Sequence, residues 1–497
     1  MIKLNFAKYK DKVKACWLGK NIGGTMGTPY EGTKEYLDIQ GFVTKKGEVL
    51  PNDDLDLQLV WLLALERSGA ENITASLLGE YWRTFITPHW NEYGIGKANM
   101  MAGLCPPLSG DYENSWRDSN GAWIRTEIWA CSVPGNPEAA CRYAVEDAKV
   151  DHGAGEGTYA AAFVAAMQSA AFVLDDIRKC IDVGLACIPE TSRVAKSVRF
   201  AVESYDKGMQ QREMRDAIQQ MNADIGDGWF EAPSNVAYVI LGLLYGQGDF
   251  KKSMIAAINC GDDTDCTGAT LGATLGILYG MKGIPEDWIE YLGDDIVTIS
   301  IAKGTTARSC PATCTELTER VVRVAPAALF ANHKHAYNAC GDITLTELEE
   351  DSIPEDIENL LMTGAANAKR RLSTLKPYML EFSHPLYRVE LTLNKAPEMA
   401  PFSELGVHLN IIHAVNEHDN VPFVISARWL LPEGFTVEGG KRTIHVHDWT
   451  RHTEYPHEET DYVIKAGEKV EAISRAVLEL SIPGRHTVLY CPVTILA

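Results

Sequence analysis

An all-helical catalytic domain followed by a smaller all-β sandwich is the fold class that the sequence predicts. Apolar residues recur at helical spacing from the start of the chain to about residue 330. From about residue 376 the repeat shortens to two. Turn residues then break the remaining chain into short runs, as they do in antiparallel sheets.

The helical part has its clearest segments at 12–23, 55–66, 157–172, 233–245, 267–280 and 311–323. The run TYAAAFVAAMQSAAFVL offers no polar face to water, so a central, buried helix is expected there. Two helices carry glycines four apart: Gly19, Gly23 and Gly27 in one, and Gly268, Gly272, Gly276 and Gly280 in the other. An interior helical glycine costs about 1 kcal/mol relative to alanine, so the rows call for an offsetting gain. Close approach of backbones along one ridge would supply it.

In the second part Tyr387, Val389, Leu391 and Leu393 alternate with Arg388, Glu390 and Thr392. Val407, Leu409 and Ile411 alternate likewise, as do Ala476, Leu478 and Leu480. Turn signals stand at 432–434, 439–440 and 483–484, so an antiparallel sandwich is expected. The acidic stretch GDITLTELEEDSIPEDIENLL lies between the parts. The expected organisation is a helical domain over 1–330, a helical connector over 331–375 and an accessory sandwich over 376–497.

A chain of 497 residues is too long for one ordinary core. With 46% hydrophobic and 23% charged residues it has the composition of a globular protein. Its formal net charge of −21 argues against nucleic acid or an anionic membrane as partner. No apolar run reaches membrane-span length, and the start lacks a signal-peptide stretch. A cytoplasmic protein is expected, with Cys16, Cys131, Cys187 and Cys491 as small buried hydrophobes. Cys310 and Cys314 sit four apart without a second pair, which is not the pattern of structural zinc.

Two acidic clusters carry the chemistry: Asn52-Asp53-Asp54 and Gly261-Asp262-Asp263-Thr264-Asp265, each just before an apolar helix. Helix capping accounts for one such side chain at each end. It does not account for two or three. Gathered carboxylates raise each other's pKa, a cost that a divalent cation removes. Mg²⁺ and Mn²⁺ are hard ions that prefer such oxygen ligands.

At these residues the chain resembles the ADP-ribosylglycohydrolases of the dinitrogenase-reductase-activating glycohydrolase type. These are metal-dependent, all-helical enzymes that remove ADP-ribose from proteins or small molecules. The family pattern G-D-A-L-G-x-P-x-E is matched by Gly23-Gly24-Thr25-Met26-Gly27-Thr28-Pro29-Tyr30-Glu31. T-D-D-T is matched by Asn52-Asp53-Asp54-Leu55, and N-G-x-A-M-R by Asn120-Gly121-Ala122-Trp123-Ile124-Arg125. A T-H pair is matched by Asp151-His152, and G-G-D-T-D-T by Gly261-Asp262-Asp263-Thr264-Asp265-Cys266. The resemblance covers about 10–325.

The resemblance implies two divalent metal ions, Mg or Mn, held by Asn52, Asp53, Asp54, Asp263, Asp265 and Cys266. It makes Glu31 and Asp54 the catalytic candidates, Glu31 as acid/base or gate, with a plain structural role as the alternative. Ser119, Asn120 and Gly121 precede a helical run expected over 122–131, so their amides could receive phosphate or sugar oxygens. His152 matches the histidine beside the substrate; a helix cap or core polar group is its alternative. Trp123, where a small residue is usual, is expected to wall the pocket or stack on a sugar face. A core tryptophan is the other reading.

The departures are Asn52 and Cys266 for threonines, Gly24 for aspartate, and Trp123. A thiol is a poor partner for Mg²⁺ or Mn²⁺. The expected activity is hydrolysis of a glycosidic bond at the anomeric carbon of an ADP-ribosyl or related ribofuranosyl substrate. A simple pentofuranoside or nucleoside is the alternative, and a non-catalytic sugar- or nucleotide-binding protein the second alternative. Small-molecule or ADP-ribosylated substrates are the expected partners, with a homo-oligomer left open. In the sandwich, His445, His447, His452 and His457 suggest zinc, or simply a polar strand face.

Overall fold

The computed structural model describes residues 3–226, 229–302, 304, 309–332, 343–344, 354–413, 422–447 and 456–497. The helical connector expected over 331–375 also holds the short strand Ile343–Thr344, whereas the six clearest helical segments named above each lie largely on a helix. The first are α1 (Phe6–Gly27), α2 (Asp53–Ser68), α3 (Ala75–Phe85), α4 (Asn91–Met101), α5 (Leu108–Asp111) and α6 (Glu127–Ser132). Then come α7 (Pro137–Ala148), α8 (Glu156–Ala170), α9 (Ile177–Cys187), α10 (Arg193–Asp206), α11 (Gln211–Met221) and α12 (Ala232–Gly246). The last are α13 (Phe250–Ile258), α14 (Thr264–Tyr279), α15 (Glu286–Leu292), α16 (Cys314–Asn332) and α17 (Pro354–Leu372). Among the described residues no helix is long and apolar enough to cross a membrane.

Caps explain why several helices begin outside their apolar runs. Asn5 accepts from Lys8 N before α1, and Asn52 accepts from Asp54 N before α2. The apolar run expected to be central forms α8, buried on nearly every side.

The two glycine rows pack on each other. α1 and α14 run antiparallel, with Gly19 against Gly272 and Gly23 against Gly268. A Cβ on Gly19 would lie 2.2 Å from Gly272 O, and one on Gly23 would lie 2.0 Å from Gly268 O. The row continues with Gly276 on Ala15 O and Gly27 on Thr264 O, each 2.2 Å from the added carbon. These contacts are with backbone, which cannot swing aside. Gly23→Ala is therefore expected to destabilise the helical unit by about 3 kcal/mol or more, read as a lower urea midpoint. The register also brings the end of α1 beside the start of α14, and so sets the site.

The sandwich has two antiparallel sheets. Strands β1 (Lys3–Leu4) and β2 (Ile343–Thr344) pair separately, outside it. β3 (Met379–His384), β4 (Tyr387–Leu393), β5 (Glu404–His413), β6 (Phe423–Leu430) and β7 (Thr436–Gly439) follow. β8 (Thr443–Val446), β9 (His457–Lys465), β10 (Ile473–Ser481) and β11 (Val488–Leu496) complete it. One sheet has the order β11-β10-β6-β8 and the other β3-β4-β5-β9-β7. The alternating residues named above all point into the shared core.

By contact, the chain divides into Met1–Lys97 with Asn114–Thr374, and Ala98–Glu113 with Leu375–Ala497. The expected connector thus contributes α17 to the helical unit, where Asn367 donates to Glu138 and Lys179 pairs with Glu358. The sandwich unit takes in 98–113, whose Leu104 and Leu108 join its core. That boundary falls inside α4, where no shift in composition marks it.

His445 and His447 are exposed on and just after β8, and His447 lies 4.0 Å from Glu458. His457 is exposed, and His452 lies outside the described residues. No three metal-ligating groups come together among the described residues of the sandwich.

Candidate active site

Three helix ends meet at one cleft. α1 ends in the 3-10 turn Thr28–Tyr30, and Glu31 follows it. Gly32 N donates to Asp262 O (2.8 Å) and Asp262 N to Thr33 O (2.6 Å), so the chain after Glu31 is tied to the loop before α14. Asp262 itself has φ of 65°. Its carboxylate accepts from Phe230 N (3.0 Å) and Asn235 Nδ2 (3.2 Å), which makes it a loop support.

The two acidic clusters converge in two overlapping groups. Glu31, Asp263 and Asp265 each bring an oxygen within 4.8 Å of the others. So do Asp54, Asp265 and Cys266, with the cysteine offering sulfur. Asp265 belongs to both. Its Oδ1 accepts from Cys266 N (2.9 Å), which holds the side chain at the first turn of α14. Asp53 Oδ2 accepts from Tyr93 Oη (3.0 Å).

The electrostatics match the crowding. Asp265, then desolvation and Asp53, push the Glu31 carboxyl up to about 8. Desolvation and Asp265 push Asp53 up to about 6. Burial first, then Asp265, raises Asp263. Burial raises Asp54, against the pull of Lys20. The Lys20 ammonium lies 3.8 Å from Asp54 Oδ1 and 3.1 Å from Glu127 Oε2, and donates to Ile124 O (2.7 Å).

Metal binding fits these residues. Asp54 Oδ1 and Asp263 Oδ1 are buried without a hydrogen-bond partner among the described residues. Such atoms are costly to leave unpaired, and hard-cation binding at the two groups would satisfy them.

The cleft has a volume of about 350 Å³. Glu31, Asp53, Asp263, Asp265 and Cys266 form one side, and Trp90, Glu92, Tyr93, Ser119, Asn120, Gly121 and Phe230 contribute to the rest. Asp54 is fully buried and is not part of this lining, so it does not reach the substrate space expected of a catalytic group. The Asn52 amide oxygen, expected as a metal ligand, accepts from Asp54 N as the cap of α2 (2.7 Å). Its nitrogen lies 1.9 Å from where a Cβ on Gly24 would be. The two departures are thus one: the longer Asn52 needs the glycine.

Ser119, Asn120 and Gly121 do line the cleft, but not at the start of a long helix. The run expected over 122–131 breaks into a 3-10 turn at Trp123–Arg125 and the short α6. The Ser119 N–H is already given to Trp116 O. Thr126 Oγ1 donates back to Trp123 O (3.1 Å) and Arg125 turns inward to Asp147 (2.9 Å), which ends the regular repeat.

Trp123 and His152 are both fully buried behind the lining. The expected pocket wall is a support: Trp123 Nε1 donates to Asn120 Oδ1 (2.9 Å), whose Nδ2 donates to Asp263 Oδ2 (2.7 Å). Trp90, 45% exposed, stands at the cleft instead. His152 has Nδ1 2.9 Å from Asp151 and Nε2 3.3 Å from Ser119 Oγ. Burial lowers its pKa, but Asp151 and Glu92 outweigh that and raise it. Trp123→Phe removes the donor while keeping the bulk. It is expected to weaken metal binding about 10–100-fold by releasing Asn120 and Asp263, as calorimetry would show.

Sequence reasoning missed Lys20, Glu127, Glu92 and Tyr93. Lys20 had no signal that sets it apart from Lys8, Lys10, Lys12 and Lys14 of the same helix. Glu92 and Tyr93 had none.

A family model, ADP-ribosylglycohydrolase, matches residues 5–316. An uncharacterized protein of Archaeoglobus fulgidus is 25% identical over 302 residues, 57% of this chain and 92% of the relative. Among solved structures, an ADP-ribosylglycohydrolase-related protein complex is 20% identical with a TM-score of 0.44. That match covers 66% of this chain and 100% of the other. A FixG-related protein from Vibrio parahaemolyticus is 10% identical with a TM-score of 0.18, over 23% of this chain and 97% of the other.

Proposed function

The chain belongs to the ADP-ribosylglycohydrolase family, and from that premise we propose a metal-dependent hydrolase of an ADP-ribosyl or related ribofuranosyl glycosidic bond. The observation that carries the reading is Asp265, shared by two ligand groups at the floor of a cleft. Divalent ions bound there would supply Lewis acidity at a sugar oxygen and lower the pKa of a water. Glu31, exposed at the cleft, is the group free to approach a ligand and to hold or move a proton at its carboxyl. The sugar carbon reacts through an oxocarbenium-like state, whose positive charge Asp53 and Glu31 would stabilise. Asn120 holds Asp263 in place, and Trp123 holds Asn120.

A simple pentofuranoside is the second reading, and one observation favours it. Five carboxylates line the cleft, at Glu31, Asp53, Glu92, Asp263 and Asp265. Among the described residues no lysine or arginine does so to meet a diphosphate.

The test is a panel of ADP-ribosyl-arginine, ADP-ribosyl-serine, O-acetyl-ADP-ribose, nucleosides and aryl pentofuranosides, each with Mg²⁺ or Mn²⁺. Hydrolysis of at least one, lost with chelator and restored by metal, is expected. No hydrolysis of any, or full turnover in chelator, overturns the reading.

A further inference from the structure

A cation of the chain's own sits beside the metal carboxylates. Lys20 follows Gly19 on the glycine seam of α1, where the backbone is fixed against α14. Its side chain is 1% exposed. The ammonium donates to Ile124 O (2.7 Å) and lies 3.1 Å from Glu127 Oε2 and 3.8 Å from Asp54 Oδ1. All three neighbours are acceptors, so the protonated, charged form is the one they suit.

Glu127 and Asp54 depend on this charge differently. Glu127 has two further donors, Gln58 Nε2 and Gln168 Nε2, each at 2.9 Å. Asp54 Oδ1 has no hydrogen-bond partner among the described residues, and Oδ2 lies 3.7 Å from Cys266 Sγ. Lys20 is the one basic side chain within 4.0 Å of Asp54 among the described residues. The two ligand groups differ accordingly. Glu31, Asp263 and Asp265 line the cleft and offer three carboxylates. Asp54, Asp265 and Cys266 offer two carboxylates and a thiol, and Asp265 is shared with the first group. A divalent ion in the second group would stand across one carboxylate from the Lys20 ammonium. Like charges that close in a buried site repel strongly.

We infer that Lys20 is a positioning residue that limits the centre to one tightly held divalent ion, its fixed ammonium neutralising Asp54 in place of a second ion. This rests on the metal-dependent reading above and identifies the working ion as the one at Glu31, Asp263 and Asp265, on the cleft.

Lys20→Met removes the charge and keeps most of the bulk, while Glu127 keeps its two glutamine donors. Calorimetry with Mn²⁺ and with Zn²⁺ on the metal-free full chain, with bound metal counted by elemental analysis, gives the readout. The wild type should take up one ion tightly and a second weakly. In Lys20→Met the second step should tighten about tenfold or more for both ions, because charge and not ligand softness has changed, and the first step should move less. Added metal should also raise the melting temperature of the variant by more than that of the wild type. Glu127→Gln takes away the other counter-charge of Lys20, so there the second step should weaken, and this variant carries the test if Lys20→Met fails to fold. Opposite shifts on neutralising the two halves of one ion pair cannot come from a loosened fold. Two equally tight ions in the wild type, a second step unchanged or weaker in Lys20→Met, or a second step unchanged or tighter in Glu127→Gln would each overturn the inference and leave the metal-dependent reading standing. No ion bound by the wild type would overturn that reading, and the inference with it.

Discussion

Asp263→Asn is expected to abolish divalent-metal binding and glycosidic turnover while making the metal-free protein more stable. Asp263 is the N-cap residue of α14, but its side chain makes no capping hydrogen bond. Nothing in the helix is therefore lost with the charge. Its Oδ2 is held by Asn120, and its Oδ1 is buried and unpaired. Burial and the neighbouring Asp265 both work against its ionisation. An asparagine there keeps the volume, removes one member of the repelling group and takes away a strong ligand for a hard ion. Turnover should fall by about 10²–10³-fold or more, the scale lost with a principal electrostatic contact. Melting in chelator should occur at a higher temperature than for the wild type, and added Mg²⁺ should no longer raise it. Wild-type metal stabilisation in the variant would place Asp263 outside the ion shell.

The same crowding fixes a sign for the pH dependence. Glu31 is held up at about 8 and Asp53 at about 6, both above their ordinary range. The folded, metal-free protein therefore keeps protons that the unfolded chain releases, so its stability falls as pH rises toward 8. Melting in chelator should occur at a higher temperature at pH 6 than at pH 8, and saturating Mg²⁺ should flatten that difference.

Much of this arrangement was legible in the residues because its cause was local. A row of glycines has few uses in a helix, and here it served as the seam between α1 and α14. Repeated carboxylates at two helix starts exceeded what capping needs, and they share a site. The harder parts depend on long-range packing. Whether Trp123 faces ligand or core turns on the break between its 3-10 turn and α6, which no apolar period announces. Gly24 and Asn52 read as two unrelated departures until their contact is seen. Residues 98–113 have no period-two signal, yet Leu104 and Leu108 complete the sandwich core.

Cys266→Thr is expected to tighten the second hard ion, because the thiol is the weak member of its ligand group. Cys266 shares that group with Asp54 and Asp265, and its Sγ lies 3.7 Å from Asp54 Oδ2. Burial and then Asp263 and Asp54 push the thiol well above its ordinary pKa. In the metal-free protein it is therefore a neutral, soft donor among hard oxygens. Mg²⁺ and Mn²⁺ gain little from such a ligand, whereas Zn²⁺ can draw off the proton and bind the thiolate. The first group, built from Glu31, Asp263 and Asp265, has no such weakness. Titration of the wild type with Mg²⁺ or Mn²⁺ should then show one tight and one weak step. In Cys266→Thr the weak step should tighten by at least about tenfold, the scale on which even supporting groups shift metal affinity. Zn²⁺ affinity should move the other way, since sulfur is replaced by a hydroxyl. Two opposite shifts in one variant cannot come from a general loosening of the fold. If calorimetry shows neither, Cys266 lies outside the shell and the second ion is held by Asp54 and Asp265 alone.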